Sequence, residues 1–405
     1  MAVNRGAINF IVEKQCSQTA ARAGILETPH GKLLTPVFMP VATQATVKTL
    51  TPEELRALGA GILLANTYHL FLSPGTEVIA KFGGLHRFMS WDGPILTDSG
   101  GFQVLSLGHL RKISDEGVLF RSHINGSEHL FSPELATQVQ NILGADIIMA
   151  FDECPSYGAE FKKIREAMDR THLWARRCLE SHQRQDQALF GIVQGGTFAD
   201  LREESARFIS SLDFPGYALG GLSIGESKQE TWAMVDVTVP LLTEDKPRYL
   251  MGVGSPEDLM EGIARGIDMF DCVLPTRVAR NGALFSSTGR LNIRKAHFKA
   301  QDSPLVEDCD CYTCRHYSAA YLHHLFKSEE LLAYRLASIH NLRFLTALLE
   351  KARKSIFNGT FADFKNEFVS GYKTTDQGVR LTQKQKWIEA QRKKKPAEPD
   401  VILTE

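Results

Sequence analysis

Ile147-Ile148-Met149-Ala150-Phe151-Asp152 is apolar without a break until its last residue, which is a carboxylate. A strand with one wet face alternates apolar and polar residues. A short unbroken run reads instead as a strand buried on both faces, as in a parallel sheet. Seven more runs of this kind flank it. Val37–Val41, Ile62–Ala65 and Ile95–Asp98 precede it; Leu189–Gln194, Tyr217–Gly221, Tyr249–Gly252 and Met269–Leu274 follow. Most are separated by amphipathic helical stretches. Pro52–Leu58 sits behind a Thr51 cap with Glu53 and Glu54 in its first turn; Lys162–Leu179, Asp200–Leu212, Lys228–Leu242 and Pro256–Gly266 are the others, the last opened by Ser255-Pro256-Glu257-Asp258. Eight strand–helix alternations over roughly 250 residues predict an α/β fold of the (β/α)8 or TIM-barrel type. A doubly wound open sheet is the competing architecture, and eight units overfill it.

Two segments interrupt the alternation. Gly117–Ser132 holds two β-like runs around Asn125-Gly126, a hairpin-turn pair, which predicts a small β excursion after the third barrel strand. Residues 283–345 carry Cys309-x-Cys311-x-x-Cys314 and several helical runs, and read as an elaboration around the last barrel unit. Thiolates at this spacing wrap one soft or borderline metal ion, and a later nitrogen can complete a closed tetrahedral site. Spacing alone leaves His316, His323, His324 and His340 open as that nitrogen. A site with four protein ligands has no open position for a substrate, so the metal is expected to be structural.

The chain has 405 residues with 46 Lys and Arg against 47 Asp and Glu. Its near-zero net charge neither announces nor excludes a nucleic-acid partner, because phosphate binding depends on local patches. Arg277, Arg280, Arg290, Arg294, Lys295 and Lys299 make one such patch, although a run of this kind is commonly just a solvated face. No apolar run approaches the ~20 residues that span a bilayer. Nothing at the N-terminus resembles a signal peptide, and the remaining cysteines are scattered, which disfavours a disulfide framework and favours the cytoplasm. Residues 1–375 are expected to form one barrel domain that includes the elaboration, and 376–405 a disordered basic tail.

Barrel enzymes take their catalytic groups from the C-terminal ends of strands and the loops that follow. Those ends carry Asp98, Asp152, Glu153, Gln194 and Asp271, with glycine turns at Gly100-Gly101, Gly195-Gly196, Gly220-Gly221 and Gly252-x-Gly254. One aspartate there is commonly a helix cap. Several, with a glutamine and four glycine turns, are better explained by a pocket. Paired carboxylates suit cleavage of a glycosidic bond, one as nucleophile or charge stabiliser and the other as acid/base. Glutamine, aspartate and bare backbone suit a flat heterocycle, on which Phe102 could stack. A zinc hydrolase of the barrel type would instead place paired histidines at strand ends, and none of the eight runs does so. A non-catalytic RNA scaffold gives no reason for a pocket lined with carboxylates.

Five motifs carry a resemblance. Thr97-Asp98-Ser99-Gly100-Gly101-Phe102-Gln103, Gln194-Gly195-Gly196, Gly220-Gly221-Leu222, Tyr249-Leu250-Met251-Gly252-Val253-Gly254 and Asp268-Met269-Phe270-Asp271-Cys272-Val273-Leu274-Pro275-Thr276-Arg277 closely resemble the tRNA-guanine transglycosylases, also called queuine tRNA-ribosyltransferases. The cysteine cluster with His340-Asn341 resembles that family's zinc site, and the similarity runs from about residue 8 to about residue 372. It implies an irregular (β/α)8 barrel with a zinc-binding insertion and one structural Zn2+ held by Cys309, Cys311, Cys314 and His340. The implied reaction exchanges guanine at the wobble position of tRNAs with GUN anticodons for a 7-deazaguanine. Asp271 is the implied nucleophile and Asp98 the implied general acid/base. Ser99, Gly100, Gly101, Phe102, Asp152, Gln194, Gly221, Leu222 and Met251 complete the implied base pocket. Gly252, Val253, Gly254, Ser255, Pro256, Glu257 and Asp258, with Thr276, Arg277, Val278, Ala279 and Arg280, are the implied tRNA-contacting segments.

Branches of the family differ in the incoming base. Cys154 and Ile224 resemble the bacterial pattern, which takes the small precursor 7-aminomethyl-7-deazaguanine (preQ1); the eukaryotic type takes bulky queuine and has glycine at the latter position. The expected partners are therefore tRNA, preQ1 and guanine, with a homodimer implied by the resemblance and no membrane.

Overall fold

The computed structural model describes residues 7–374, residue 108 excepted. The basic tail expected at 376–405 lies outside the described residues. Nine short parallel strands form a nearly closed ring. In order around it they are Val37–Met39, Met269–Asp271, Arg248–Leu250, Tyr217–Leu219, Ala188–Val193, Ile147–Met149, Ile95–Thr97, Leu63–Ala65 and Val41–Ala42. The first and last of these are consecutive in the chain, parted only by Pro40. Proline has no N–H to give a ladder, but the Pro40 carbonyl accepts the Leu64 N–H at 3.0 Å. The nine strands are thus eight chain passes, and the pass split at Pro40 closes the ring. Each of the eight apolar runs becomes a barrel strand. Every residue of Ile147–Met149 and Ala188–Val193 is buried, as continuous hydrophobicity requires.

Helices cover the outside where the sequence starts them. Thr51 and Ser227 form reciprocal capping boxes with Glu54 and Glu230. Ser255 precedes its helix, Pro256–Ala264, but does not cap it through its side chain: its hydroxyl donates to Asp258 at 2.6 Å, and that carboxylate also takes the Lys228 ammonium. The helix Phe161–Ser181 buries Trp174 against Phe151 with ring centroids 4.7 Å apart. The expected β excursion has three strands, His109–Ser114, Gly117–Arg121 and Glu128–Phe131, one more than the sequence pattern offered. Its turn places Gly126 at φ 74°, the left-handed region that Asn-Gly turns use. An antiparallel sheet of Asn9–Gln15, Arg22–Thr28 and Gly31–Thr35 was not foreshadowed.

Two buried carboxylates lock the N-terminal end of the barrel. Asp268 receives Arg22 Nε at 2.9 Å and Nη2 at 2.6 Å, a bidentate pair, and the Arg248 N–H at 2.7 Å. Asp146 accepts from the backbone N–H groups of His30 at 3.1 Å and Ile95 at 2.9 Å. Its two oxygens also meet His30 Nδ1 at 2.8 Å and His86 Nε2 at 3.2 Å. These three side chains bring metal-ligating atoms together, but the imidazoles stack face to face at 3.6 Å and 15°. Their ring nitrogens run side by side, each on its own oxygen, instead of converging on one ion. Among the described residues no helix is long and apolar enough to cross a membrane.

Candidate active site

Asp98 follows the strand Ile95–Thr97 directly and is 8 % exposed. The Thr67 N–H donates to its Oδ1 at 2.9 Å, while Gln103 Nε2 at 2.8 Å and the Asn66 amide donate to its Oδ2. Asp98 therefore caps the helix Thr67–Leu72 of the neighbouring unit, not the one that follows it. Burial pushes its carboxyl up to about 6 against these three donors, and the nearby Asp271 charge adds to the rise. A carboxyl poised there can give and take a proton near neutral pH.

Asp271 closes the strand Met269–Asp271 and is partly exposed at the rim. Its Oδ1 accepts two hydrogen bonds, from the Tyr249 hydroxyl at 2.6 Å and the Gly252 N–H at 2.7 Å. Its Oδ2 accepts none among the described residues. Burial raises this carboxyl as well, with both donors resisting. Asp152 is held by the Ser99 hydroxyl at 2.9 Å and Gln194 Nε2 at 2.7 Å, and the Gly101 N–H donates to Ser99 Oγ at 3.1 Å. Its pKa too is raised by burial. Gly221 must be glycine: it has φ 68°, and a Cβ there would fall 2.3 Å from Gln194 Oε1. Phe102, 52 % exposed, presents a large ring to solvent, whereas Leu222 is buried and Met251 half-buried. A cavity of about 210 Å³ adjoins this cluster, lined by Tyr157, Gln194, Gly221, Ile224 and Glu230 among others.

The second candidate centre lies in the elaboration. Donor atoms of Cys309, Cys311, Cys314 and His340 all fall within 4.8 Å of one another. The three sulfurs stand 3.6, 3.6 and 3.4 Å from His340 Nδ1. Ligand bonds of about 2.3 Å to sulfur and 2.0–2.1 Å to nitrogen at a tetrahedral angle give S···N edges of about 3.6 Å. The cluster could therefore hold a metal ion with little movement. The Cys314 N–H points at Cys311 Sγ, and His340 Nε2 reaches the Phe285 carbonyl at 2.7 Å, the outer contact that orients a ligating imidazole. Of the four histidines that spacing left open, His340 joins the cluster; His316 and His323 bond the carbonyls of Tyr312 and Ile293 instead. The next residue, Asn341, accepts the Phe285 N–H and donates to the carbonyls of Pro275 and Ala283. Pro275 belongs to the helix Leu274–Arg280 that leaves Asp271.

A family model described as queuine tRNA-ribosyltransferase matches residues 16–374. The chain belongs to the queuine tRNA-ribosyltransferase family. The enzyme of that name from Pelotomaculum thermopropionicum is 60% identical over 366 residues, 90% of this chain and 99% of the relative. Those of Dehalococcoides mccartyi and Macrococcus caseolyticus are each 57% identical, over 380 residues (94% and 97% of the two chains) and 367 residues (90% and 97%). It is thus a pentosyltransferase of a family that acts on tRNA.

The segments expected to meet tRNA divide by exposure. Gly252 and Arg277 are exposed, Val278 and Arg280 are half-buried, and Val253 through Asp258, Thr276 and Ala279 are buried. Sequence reasoning missed several groups that shape this candidate site. Tyr249, Asn66 and Thr67 reach the carboxylates from the neighbouring strand of each pair or the residues just after it, a tertiary pairing their local sequence does not show. Glu226 was also missed; its carboxylate collects the N–H groups of Ser223, Ile224 and Gly225, setting the chain just after Leu222. Its nearness to Gly220-Gly221 was the one signal available.

Proposed function

We propose that this ribosyltransferase exchanges guanine at the wobble position (34) of tRNAs with GUN anticodons, those for Asp, Asn, His and Tyr, for preQ1. The reaction is a double displacement through a covalent ribosyl–enzyme ester. The observation that carries this reading is the asymmetric hydrogen bonding of Asp271: one oxygen doubly held, the other open at a partly exposed rim. Asp271 attacks the ribose anomeric carbon, and Asp98 gives a proton to the departing guanine. The incoming base then gives up its own proton to the now ionised Asp98 and opens the ester. Two inversions at one carbon retain the anomer.

Asp152, Gln194 and the Gly221 backbone read the edge of the base, with Phe102 and Met251 covering its faces. Because the wobble base must leave its stack to be replaced, the rim has to accept a splayed nucleotide. Gly252, Arg277, Val278 and Arg280 are the segment residues with surface to offer tRNA. Zinc is held by Cys309, Cys311, Cys314 and His340, where a closed thiolate–imidazole set supplies folding energy and no reactive position. The enzyme works as a homodimer, as the resemblance implies.

The test is incubation with GUN-anticodon tRNA, labelled guanine and preQ1, followed by nucleoside analysis; unchanged nucleosides would defeat the proposal. Queuine is the alternative incoming base. Ile224 lines the cavity beside Gly221, where it fills volume that a cyclopentenediol would need. Ile224→Gly should admit queuine while guanine exchange persists, and a parent enzyme that inserts queuine as readily as preQ1 would overturn the choice of base.

A further inference from the structure

The hydrogen bonds around Asp271 also distinguish its two oxygens, and the distinction rests on the reading of Asp271 as nucleophile. We propose that Tyr249 is a positioning residue that assigns the attack to Asp271 Oδ2 and makes the carboxylate a competent leaving group in the second displacement. Tyr249 belongs to the neighbouring strand Arg248–Leu250 and is 1 % exposed. Its ring is fixed by the barrel, and its hydroxyl donates to Asp271 Oδ1 at 2.6 Å. Burial and the adjacent Asp271 charge push the phenol well above its ordinary pKa, so it stays a donor and takes no part in proton transfer. The Gly252 N–H supplies a second, backbone donor to the same oxygen. With Oδ1 occupied twice, the unshared pairs on Oδ2 are the ones available to carbon.

The consequence differs for the two half-reactions. In the first, Oδ2 bonds to C1′ while the C1′–N9 bond breaks, its electron pair leaving on guanine and the proton coming from Asp98. In the ester so formed, Oδ1 is the carbonyl oxygen and carries less charge, so the Tyr249 hydrogen bond weakens. In the second, the incoming base bonds to C1′ and the C1′–Oδ2 bond breaks. Its electron pair returns to the carboxylate, and the Tyr249 bond regains its full strength. A donor that binds the carboxylate more tightly than the ester favours departure over attack. Tyr249 therefore governs how fast the covalent intermediate breaks down.

Tyr249→Phe keeps the ring and deletes the donor. A hydrogen bond to a charged group is worth roughly a 10- to 100-fold change in rate. Breakdown of the ribosyl–enzyme should slow by that factor while its formation changes much less. The adduct should then accumulate on denaturing gels, with kcat and KM for tRNA falling together and kcat/KM nearly preserved. Fluorinated tyrosine at position 249, a stronger donor of almost the same shape, should speed breakdown and thin the adduct, which guards against a folding defect in the phenylalanine variant. Unchanged breakdown in both variants, or an equal loss of kcat and kcat/KM without more adduct, overturns the proposal and leaves Tyr249 as packing. Peptide mapping of the parent adduct separates the two levels: a ribosyl group on any residue but Asp271 removes the nucleophile assignment itself.

Discussion

Asp146 and Asp152 stand at opposite ends of one apolar run, and the protein treats them in opposite ways. Asp146, at the N-terminal end, meets two backbone N–H groups and two imidazoles. Burial alone would raise its carboxyl, but bonds from His86, the Ile95 amide and His30 outweigh it and hold the group below the usual range. Asp152, at the C-terminal end, has two side-chain donors, and there burial prevails and the carboxyl rises. Asp98 and Asp271 on the same rim follow Asp152. The lower end uses carboxylates to hold strands together. At the upper end Asp152 and Asp271 accept only two hydrogen bonds each, and the capacity left over is what lets a ligand or a proton complete them.

The largest break in this contrast should come from Asp271→Asn. Exchange should fall by about 10^4-fold or more, since the amide keeps the shape and loses the proposed nucleophile, while the thermal midpoint stays near the parent's. Radiolabel exchange and a melting curve together decide it; a trapped adduct on Asp98 would reverse the two roles.

Asp146→Asn should show the converse. Breaking a buried charge-assisted network costs about 3–5 kcal/mol of stability, yet activity per folded molecule should persist. Denaturant unfolding compared with turnover at a permissive temperature is the measurement.

Asp98 and Asp146 should also respond to pH with opposite sign. The Asp98 carboxyl sits at about 6 in the fold against 3.8 in a model peptide. Between those values the folded chain binds the extra proton, so this group's contribution to stability declines as pH rises from about 4 to 6. Roughly two pK units set the size at about 3 kcal/mol. Asp98→Asn should remove that decline. Asp146, held below its unfolded value, contributes stability that is lost as pH falls through its folded pKa, and Asp146→Asn should remove that acid loss. Unfolding midpoints at a series of pH values check both. In catalysis, release of guanine should be favoured below about 6 and capture of the incoming base above it.

The smallest effect belongs to the exposed rim. Arg277→Ala should weaken tRNA binding by about 1–3 kcal/mol with little change in preQ1 binding to the free enzyme. Filter binding with tRNA and calorimetry with preQ1 separate the two, and an unchanged tRNA affinity returns the basic run to a solvated face.

The parts of this contrast that could be read from sequence share a physical cause. Strands buried on both faces are continuous in hydrophobicity, and that pattern needs no tertiary information. Asp98, Asp152, Gln194 and Asp271 were visible because polar residues ending such strands stand out. Asn9–Gln15 was not, because its residues are exposed or half-buried and carry no turn signal of a kind that isolates a strand. The His30–His86–Asp146 clasp joins residues up to 116 positions apart in sequence and leaves no local trace. Tyr249 was quoted within a strand motif, but its partner lies on the next strand, and which strands pair is not written in either motif.

With zinc bound as proposed, Asn341 would turn the Cys309–Cys311–Cys314–His340 cluster into a lever on recognition. It follows His340, a proposed zinc ligand, and its amide grips the carbonyl of Pro275 at the head of the helix that carries Arg277 and Arg280. A chain that loses its ion would slacken this grip first, well before the barrel strands part. Loss of the proposed ion would then be felt as a looser hold on tRNA, so that under limiting zinc the enzyme would fall silent by losing the proposed tRNA-contacting helix while its carboxylates stayed intact.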